Sequence, residues 1–202
     1  GYRMLAFAGG EEKCDRHGQV SAELVYYGLA ALKDPLRKEV PMAVKKCHEA
    51  KIKVLMITGD QPLTAKSIAA ECGICGEKDQ VLTGEELSQM SERALRRAVE
   101  KVKVYSRVTP EDKLKIVKAL QQNGHVVAMS GDGINDAPAI KAADVGIAMG
   151  INGTEVSREA ADMVLADDNF ATIVRAVEEG RGIYSNIRKF IRYLLACNIG
   201  EV

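Results

Sequence analysis

The stretch from His125 to Gly150 reads HVVAMSGDGINDAPAIKAADVGIAMG and carries the pattern that decides the fold. Residues His125–Met129 form a compact apolar run typical of a buried strand, and Asn135–Ala143 follow with a helical pattern. Val145–Met149 then return to an apolar run with the character of a strand. A strand, a helix and a second strand at this spacing are typical of one parallel β-α-β unit.

The same alternation continues on both sides of this stretch. Strands are predicted over Val25–Leu32, Lys53–Thr58, Val102–Val108 and Met163–Ala166, and helices over Leu36–Ala50, Pro62–Cys72, Thr109–Gln122 and Thr154–Ala161. Two short helices are expected before Val102, the second from Ser91, and a long helix from Phe170 onward. The alternation predicts an α/β fold, with a doubly wound, mostly parallel, Rossmann-like sheet flanked by helices.

Composition argues against nucleic-acid binding and indicates the state of the cysteines. Lys plus Arg and Asp plus Glu are each 28, whereas a nucleic-acid-binding protein normally shows a basic excess, so no nucleic-acid partner is expected. No signal peptide is recognisable and the five cysteines are scattered, so reduced thiols are expected. Cys72 and Cys75 form a C-x-x-C pair without a second ligand pair nearby, which favours a structural role over a zinc or redox site.

Ligands in such folds bind beyond the carboxyl ends of the parallel strands. Three of the predicted strands end in polar residues or glycine, namely Thr58-Gly59-Asp60, Arg107 and Gly131-Asp132-Gly133. We therefore expect these three segments to gather on one rim of the sheet.

The segment Gly131-Asp132-Gly133-Ile134-Asn135-Asp136 places two carboxylates and a carboxamide directly after a predicted buried strand. Mg²⁺ prefers oxygen ligands and usually takes only one or two carboxylates, leaving other positions to water and phosphate. The glycines permit a sharp turn and a close approach of the backbone to an anion. The segment predicts a Mg²⁺ loop, and the alternative is an Asx-rich turn that caps the next helix.

Thr58-Gly59-Asp60 offers a hydroxyl and free backbone amides ahead of the helix that begins near Pro62. Such a position suits a phosphate contact, because the amides at a helix N-terminus attract anions. The alternative is that these residues only cap the helix.

Lys113 lies in the first turn of the helix that follows Arg107. The helix macrodipole mildly disfavours a cation at this end, by about a few tenths of a kcal/mol. A lysine there indicates a bound anion, although an ion pair with Glu111 or Asp112 would explain it as well.

Together these features predict phosphoryl transfer, which needs Mg²⁺, a lysine and hydrogen-bond donors around the transferring oxygens. The reaction also needs an acceptor, expected as an aspartate at the end of the first strand of the sheet. Asp34 precedes Pro35 at a helix start and fits this role poorly, so the acceptor is expected upstream of Gly1.

Read in order, these segments resemble the phosphorylation domain of the P-type ATPases, within the haloacid dehalogenase-like superfamily. The resemblance covers nearly the whole chain. Its motifs are Asp34-Pro35-Leu36-Arg37, Met56-Ile57-Thr58-Gly59-Asp60 with Thr64-Ala65, Arg107-Val108-Thr109-Pro110 with Lys113, Gly131 to Pro138, Val145 to Gly150, and Ala161 to Asp168. Leu36 is a departure, since calcium pumps often carry a second proline there.

In that family ATP phosphorylates an aspartate in a D-K-T-G-T motif, which this sequence lacks. The resemblance implies that Asp132 holds Mg²⁺ and that Asp136 supports it, with Thr58 and Lys113 as further catalytic residues. The residues implied to surround ATP or its phosphates are Arg3, Thr58, Gly59, Asp60, Arg107, Lys113 and Asn135.

The resemblance also implies the domain organisation. Residues 1–23 would close a nucleotide-binding domain, 24–183 would form the phosphorylation domain without its first strand, and 184–202 would start a transmembrane helix. Asn198 and Glu201 fall on one helical face and resemble Ca²⁺ ligands of the fifth membrane helix of sarcoplasmic-reticulum-type pumps. Sodium pumps tend to have proline in place of Gly200, which favours calcium. A soluble surface helix is the alternative.

The resemblance therefore implies part of an ATP-driven, Ca²⁺-transporting pump that works through an aspartyl phosphate. It would be an integral membrane protein that contacts the lipid bilayer through its C-terminal helix, with this segment mostly cytoplasmic. Alternatives are a soluble phosphatase of the same superfamily, a pump for Na⁺ or Mn²⁺, and a non-catalytic binding module. The flanking sequence would distinguish them, because only a pump needs both D-K-T-G-T upstream and an apolar continuation downstream.

Overall fold

The computed structural model describes residues 3–10, 12–14, 20–22, 24–32 and 35–200. The chain divides into two compact units, residues 1–37 and 38–202. The predicted domain boundary between residues 23 and 24 falls inside the first unit. The assignment of domains therefore stays a prediction.

The first unit consists of antiparallel strands. They are β1 (Arg3–Gly9), β2 (Glu12–Cys14), β3 (Val20–Ala22) and β4 (Val25–Leu32), with β1 paired to β4 and β2 to β3. The prediction of a strand over Val25–Leu32 is confirmed. Its partner is β1, so it belongs to an antiparallel pair and does not extend the parallel sheet.

The second unit contains two parallel sheets of three strands each. The first has the order β5 (Met56–Ile57), β7 (Val104–Ser106), β6 (Val81–Thr83). The second has the order β10 (Met163–Leu165), β9 (Val145–Met149), β8 (Ala128–Gly131). Among the described strands, β5 and β8 therefore each lie at the edge of a sheet.

Helices connect these strands and cover them. They are α1 (Val40–Glu49), α2 (Pro62–Glu71), α3 (Gly84–Ser88), α4 (Glu92–Ala98), α5 (Pro110–Gln122), α6 (Ala137–Ala142), α7 (Glu155–Ala160) and α8 (Phe170–Gly200). Most begin where the sequence predicts, because proline or a capping hydroxyl marks the first turn. Helix α1 is an exception, starting at Val40 instead of Leu36.

Helix α5 links the two sheets, since it follows β7 and leads into β8. Its buried Ile116 and Val117 belong to a single hydrophobic cluster with Tyr105 of β7, Met129 of β8 and Ile140 of α6. Full burial of one such aliphatic side chain contributes about 1.5–3 kcal/mol. This shared core holds the carboxyl ends of β7 and β8 in a fixed relation.

The predicted α/β fold, with parallel strands flanked by helices and a long final helix, is confirmed. Several details differ from the sequence-based expectation. Strand β5 covers only Met56–Ile57 of the predicted Lys53–Thr58, and β7 covers only Val104–Ser106 of the predicted Val102–Val108. Strand β6 was not predicted, because its three residues lie in a polar segment for which two short helices were expected. Strand β8 starts at Ala128 instead of His125, since the Val127 amide donates to the Asp144 carboxylate at 2.8 Å.

Candidate functional site

The loop after β8 is folded around one buried carboxylate, that of Asp136. Its Oδ2 accepts hydrogen bonds from the amides of Gly133 at 3.1 Å and Asp132 at 3.3 Å. Gly131 packs directly on this side chain, and a Cβ on Gly131 would lie 2.4 Å from the Asp136 Cβ. The loop therefore needs glycine at position 131 for space.

Lys113 supplies the charge that compensates Asp136. Its Nζ lies 2.5 Å from Asp136 Oδ1, and the two side chains are only 15% and 9% exposed. A capping box between Thr109 and Asp112 fixes the first turn of α5 from which Lys113 projects. The alternative pairing of Lys113 with Asp112 is not realised, because Asp112 binds Thr109 and Lys115.

Asp132 combines a fixed backbone with a free side chain. Its carbonyl oxygen accepts from the Thr154 amide at 2.8 Å and lies 3.1 Å from the Ser157 Oγ. Its side chain is exposed and makes no hydrogen bond within the described part of the chain. Because both Asp136 oxygens are engaged, Asp132 is the carboxylate of this loop that remains available to a cation.

These residues could bind Mg²⁺ with few protein ligands. The described residues contain no group of three or more His, Cys, Asp or Glu side chains that would enclose a metal ion. Mg²⁺ does not require such a cage, since it commonly binds one or two carboxylates together with water and phosphate. The loop after β8 suits this mode of binding, with Asp132 as the ligand.

The loop after β5 is held by its backbone and is open on its outer side. The Thr58 amide donates to the Tyr105 carbonyl at 2.9 Å, and the Thr58 hydroxyl accepts from the Asp60 amide at 3.1 Å. Gly59 has free space around its Cα. The Thr58 hydroxyl does not cap α2, whose N-cap is Gln61.

Arg107 joins the loops after β5 and β7. Its amide donates to the Asp60 carbonyl at 3.2 Å, and the neighbouring Val108 amide donates to the Thr58 carbonyl at 3.4 Å. Arg107 has a φ of 49°, which is unusual for a residue with a side chain. Its carbonyl packs against Gly84, where a Cβ would lie 2.3 Å from that oxygen. Sequence reasoning missed Gly84, because its partner is distant in the chain.

The structure thus brings most of the predicted phosphate-site residues into two groups of contacts. Lys113 and Asp132 meet through Asp136, while Thr58, Asp60 and Arg107 are tied together next to the start of α5. Asn135 is exposed in the 3-10 turn Ile134–Asp136. The catalytic and binding roles of all these residues stay predictions.

Other predicted residues belong to elements other than the loops after β5, β7 and β8. Arg3 belongs to β1 in the first unit, and its side chain is outside the described part. Asn198 is exposed on α8, whereas Glu201 lies outside the described residues. Cys72 and Cys75 are buried free thiols, and burial is the largest cause that raises the pKa of each.

Asp168 is a further buried carboxylate that the prediction of site residues did not include. Its Oδ1 accepts from the amides of Gly150 at 2.7 Å and Ile151 at 3.0 Å. Its Oδ2 accepts from the Asn152 amide at 2.8 Å and Nδ2 at 2.9 Å. The Ile151 amide is the largest cause that holds the pKa of Asp168 below its ordinary value, although burial opposes it.

Helix α8 comprises 31 residues, a length of about 45 Å at 1.5 Å per residue. Within the part of the chain that the structure describes, no helix joins sufficient length to sufficient apolarity for crossing a bilayer. The predicted start of a transmembrane helix over 184–202 stays a prediction.

Comparison with known proteins finds a matching family and several relatives. Residues 3–144 match the family model of the haloacid dehalogenase-like hydrolases. The chain is 55% identical to a calcium-transporting ATPase of Bacillus subtilis, over 91% of this chain and 21% of that protein. It is 48% identical to an endoplasmic reticulum calcium ATPase of Aspergillus fumigatus, over 100% of this chain and 22% of that protein.

The chain therefore spans about a fifth of the length of these relatives. Among solved structures, a zinc-transporting PIB-type ATPase in its E2.Pi state is similar with a TM-score of 0.64 and 32% identity. That similarity covers 94% of this chain and 29% of the other.

Proposed function

Since this chain belongs to the haloacid dehalogenase-like hydrolase family, we propose that it is the phosphorylation-domain part of an ATP-driven cation pump. The predicted resemblance to the P-type ATPases is confirmed by its relatives. Ca²⁺ is the cargo we favour, because two of these relatives are calcium ATPases. The observation that carries the proposal is the Asp132 carboxylate left free beside the buried Lys113–Asp136 pair.

In the proposed reaction, ATP phosphorylates an aspartate, and the aspartyl phosphate is then hydrolysed. Mg²⁺, when bound, supplies positive charge next to the transferring phosphoryl group. Asp132 would hold the ion from its fixed backbone, and Lys113 would add positive charge from the start of α5. The Thr58 hydroxyl and the Gly59 amide would donate to phosphate oxygens, because both belong to the open loop after β5.

The acceptor aspartate is proposed to lie outside this chain, on a strand that completes the sheet. Among the described strands, β5 and β8 each have one unpaired edge. A parallel strand inserted between them would join the two sheets into one. Its carboxyl end would then lie between the loops that carry Thr58 and Asp132.

The remaining parts of the pump are proposals of the same kind. Residues 24–183 are assigned to the phosphorylation domain on the cytoplasmic side, and residues 1–23 to the end of a nucleotide-binding domain, where Arg3 would contact ATP. Residues 184–202 would lead into the lipid bilayer. The support is the resemblance of the motifs, together with a long α8 that carries Asn198 near its end.

Replacing Asp132 by Ala in the intact protein tests this function. Labelling of the protein from radioactive ATP should fall by at least about 100-fold, since a group that stabilises transition-state charge is lost. Glu159→Ala removes an exposed carboxylate on α7 and serves as the matched control, with unchanged labelling. Equal labelling of both variants would refute the assignment of Asp132.

The favoured cargo is tested separately on the unmodified protein. Labelling from ATP should require Ca²⁺ at low concentration, because binding of the transported ion triggers phosphorylation in the proposed cycle. Labelling that depends on Na⁺ or Mn²⁺ instead would change the cargo and leave the family assignment intact.

A further inference from the structure

The backbone of Asp132 is hydrogen-bonded by two residues at the start of α7, Thr154 and Ser157, which the proposed reaction does not use. The Thr154 amide and the Ser157 hydroxyl both reach its carbonyl oxygen, at 2.8 and 3.1 Å. Ser157 is fully buried, and its Oγ is also 2.8 Å from the Thr154 carbonyl. A buried hydroxyl with such partners fixes its surroundings, because breaking these bonds leaves polar groups unsatisfied.

The segment 150–154, which we call the β9 loop, connects β9 to α7. Both of its glycines pack closely against backbone atoms of other residues. A Cβ on Gly150 would lie 2.5 Å from the Leu165 carbonyl oxygen, and one on Gly153 would lie 1.9 Å from that of Met149. These close contacts limit the movement of the β9 loop between Gly150 and Thr154.

Asp168 holds the beginning of this loop. Its carboxylate accepts from three consecutive backbone amides, those of residues 150–152, and from the Asn152 side chain. Asp168 adopts a φ of 48°, a conformation that costs a non-glycine residue about 1 kcal/mol or more. It stands two residues before Phe170, where α8 begins.

We infer that Asp168 is a positioning residue for the Mg²⁺ site, acting on Asp132 through the β9 loop, Thr154 and Ser157. The inference rests on the proposed function, because it assumes that Asp132 holds Mg²⁺. The contacts form a continuous series from the carboxylate at the base of α8 to the carbonyl of Asp132. Weakening the hydrogen bonds of Asp168 should therefore weaken Mg²⁺ binding, although Asp168 itself would contact neither the ion nor the phosphate.

Asparagine is an informative replacement at position 168. It tolerates a positive φ and matches aspartate in shape, but it exchanges one acceptor oxygen for a donor. One pair of hydrogen bonds to the β9 loop is thereby lost. The neighbouring Asp167 provides the matched control, since it accepts from Thr172 Oγ1 at 2.6 Å and from the Asn169 amide at 3.1 Å, at the start of α8.

The experiment compares Asp168→Asn and Asp167→Asn in the intact protein with two readouts. The first is the Mg²⁺ concentration at half-maximal phosphoenzyme formation, which Asp168→Asn should raise about 10-fold, as is typical when a metal ligand loses its supporting contacts. The second is hydrogen exchange at the Thr154 amide without Mg²⁺, which should become faster. Asp167→Asn should leave both within twofold.

Ser157→Ala acts at the other end of the same series and covers the case in which Asp168→Asn does not fold. It should raise the half-maximal Mg²⁺ concentration several-fold, because one of the two hydrogen bonds to the Asp132 carbonyl is lost. If all variants match the parent in both readouts, or if only the melting temperature falls, the inference is wrong. If the parent protein is never labelled, the proposed function is refuted instead. Hydrogen exchange at the Thr154 amide is then the one remaining test of the positioning role.

Discussion

The loops after β8 and β5 both follow parallel strands, yet they are held in different ways. The β8 loop surrounds the buried Asp136 carboxylate, which binds two backbone amides and Lys113. The β5 loop has no buried charge among its residues, and Gly59 faces free space. A metal ligand needs a fixed position, whereas backbone amides can adjust to a phosphate when it binds. We therefore expect the β8 loop to be more rigid than the β5 loop, because a buried ion pair holds it.

Removal of the Lys113 charge should have the largest effect on this comparison. Lys113→Met leaves the Asp136 carboxylate buried without its partner, and we expect a loss of about 3 kcal/mol in the free energy of unfolding. Thr58→Val in the β5 loop should cost about 1 kcal/mol or less, because a single partly exposed hydrogen bond is lost. Urea unfolding of the chain measures both.

The double variant Lys113→Met with Asp136→Asn sharpens that result. It removes the unpaired charge, so part of the lost stability should return. Equal costs for Lys113→Met and Thr58→Val would contradict the view that the ion pair makes the β8 loop rigid.

The two glycines should show a smaller difference of the same kind. Gly131→Ala forces a Cβ against the Asp136 side chain at 2.4 Å, which should cost about 2 kcal/mol as overpacking. Gly59→Ala adds a methyl group in open space at an exposed position, so the change should stay within about 0.5 kcal/mol. Thermal unfolding of the two variants side by side checks this, and a tolerated Gly131→Ala would show that the β8 loop can rearrange.

The smallest effect is expected at Ser106, which ends β7 in the sheet that contains β5. Its hydroxyl is fully buried and has no hydrogen-bond partner among the described residues. Ser106→Ala should therefore stabilise the chain by about 1 kcal/mol or less, since an unsatisfied polar group is removed. Ser157→Ala, which loses its bonds behind the β8 loop, should destabilise it. A loss of stability in Ser106→Ala would reveal a partner for that hydroxyl.

Much of the site could be predicted because its signals are local. The glycines and aspartates after β8 lie within residues 131–136, and Thr109, Pro110 and Lys113 lie within residues 109–113. The positions of both segments follow from strand burial and helix capping, which short segments determine by themselves.

The partners of these residues could not be predicted, because they depend on tertiary packing. Lys113 binds Asp136, 23 residues away, instead of its neighbours Glu111 or Asp112. The contact of Gly84 with Arg107 and the bonds of Asp168 with the β9 loop likewise join separate elements. The strand order could not be predicted either, because it depends on which strands pair with one another and not on the pattern within each strand.

The open edges of β5 and β8 bear on how this chain behaves in solution. Backbone groups along such an edge are available to pair with strands of another molecule, a known route to aggregation. Each edge is short, two residues in β5 and four in β8, so individual contacts would be weak and reversible. Purified at high concentration, the chain should self-associate gradually, and a peptide with strong strand propensity should compete with that association.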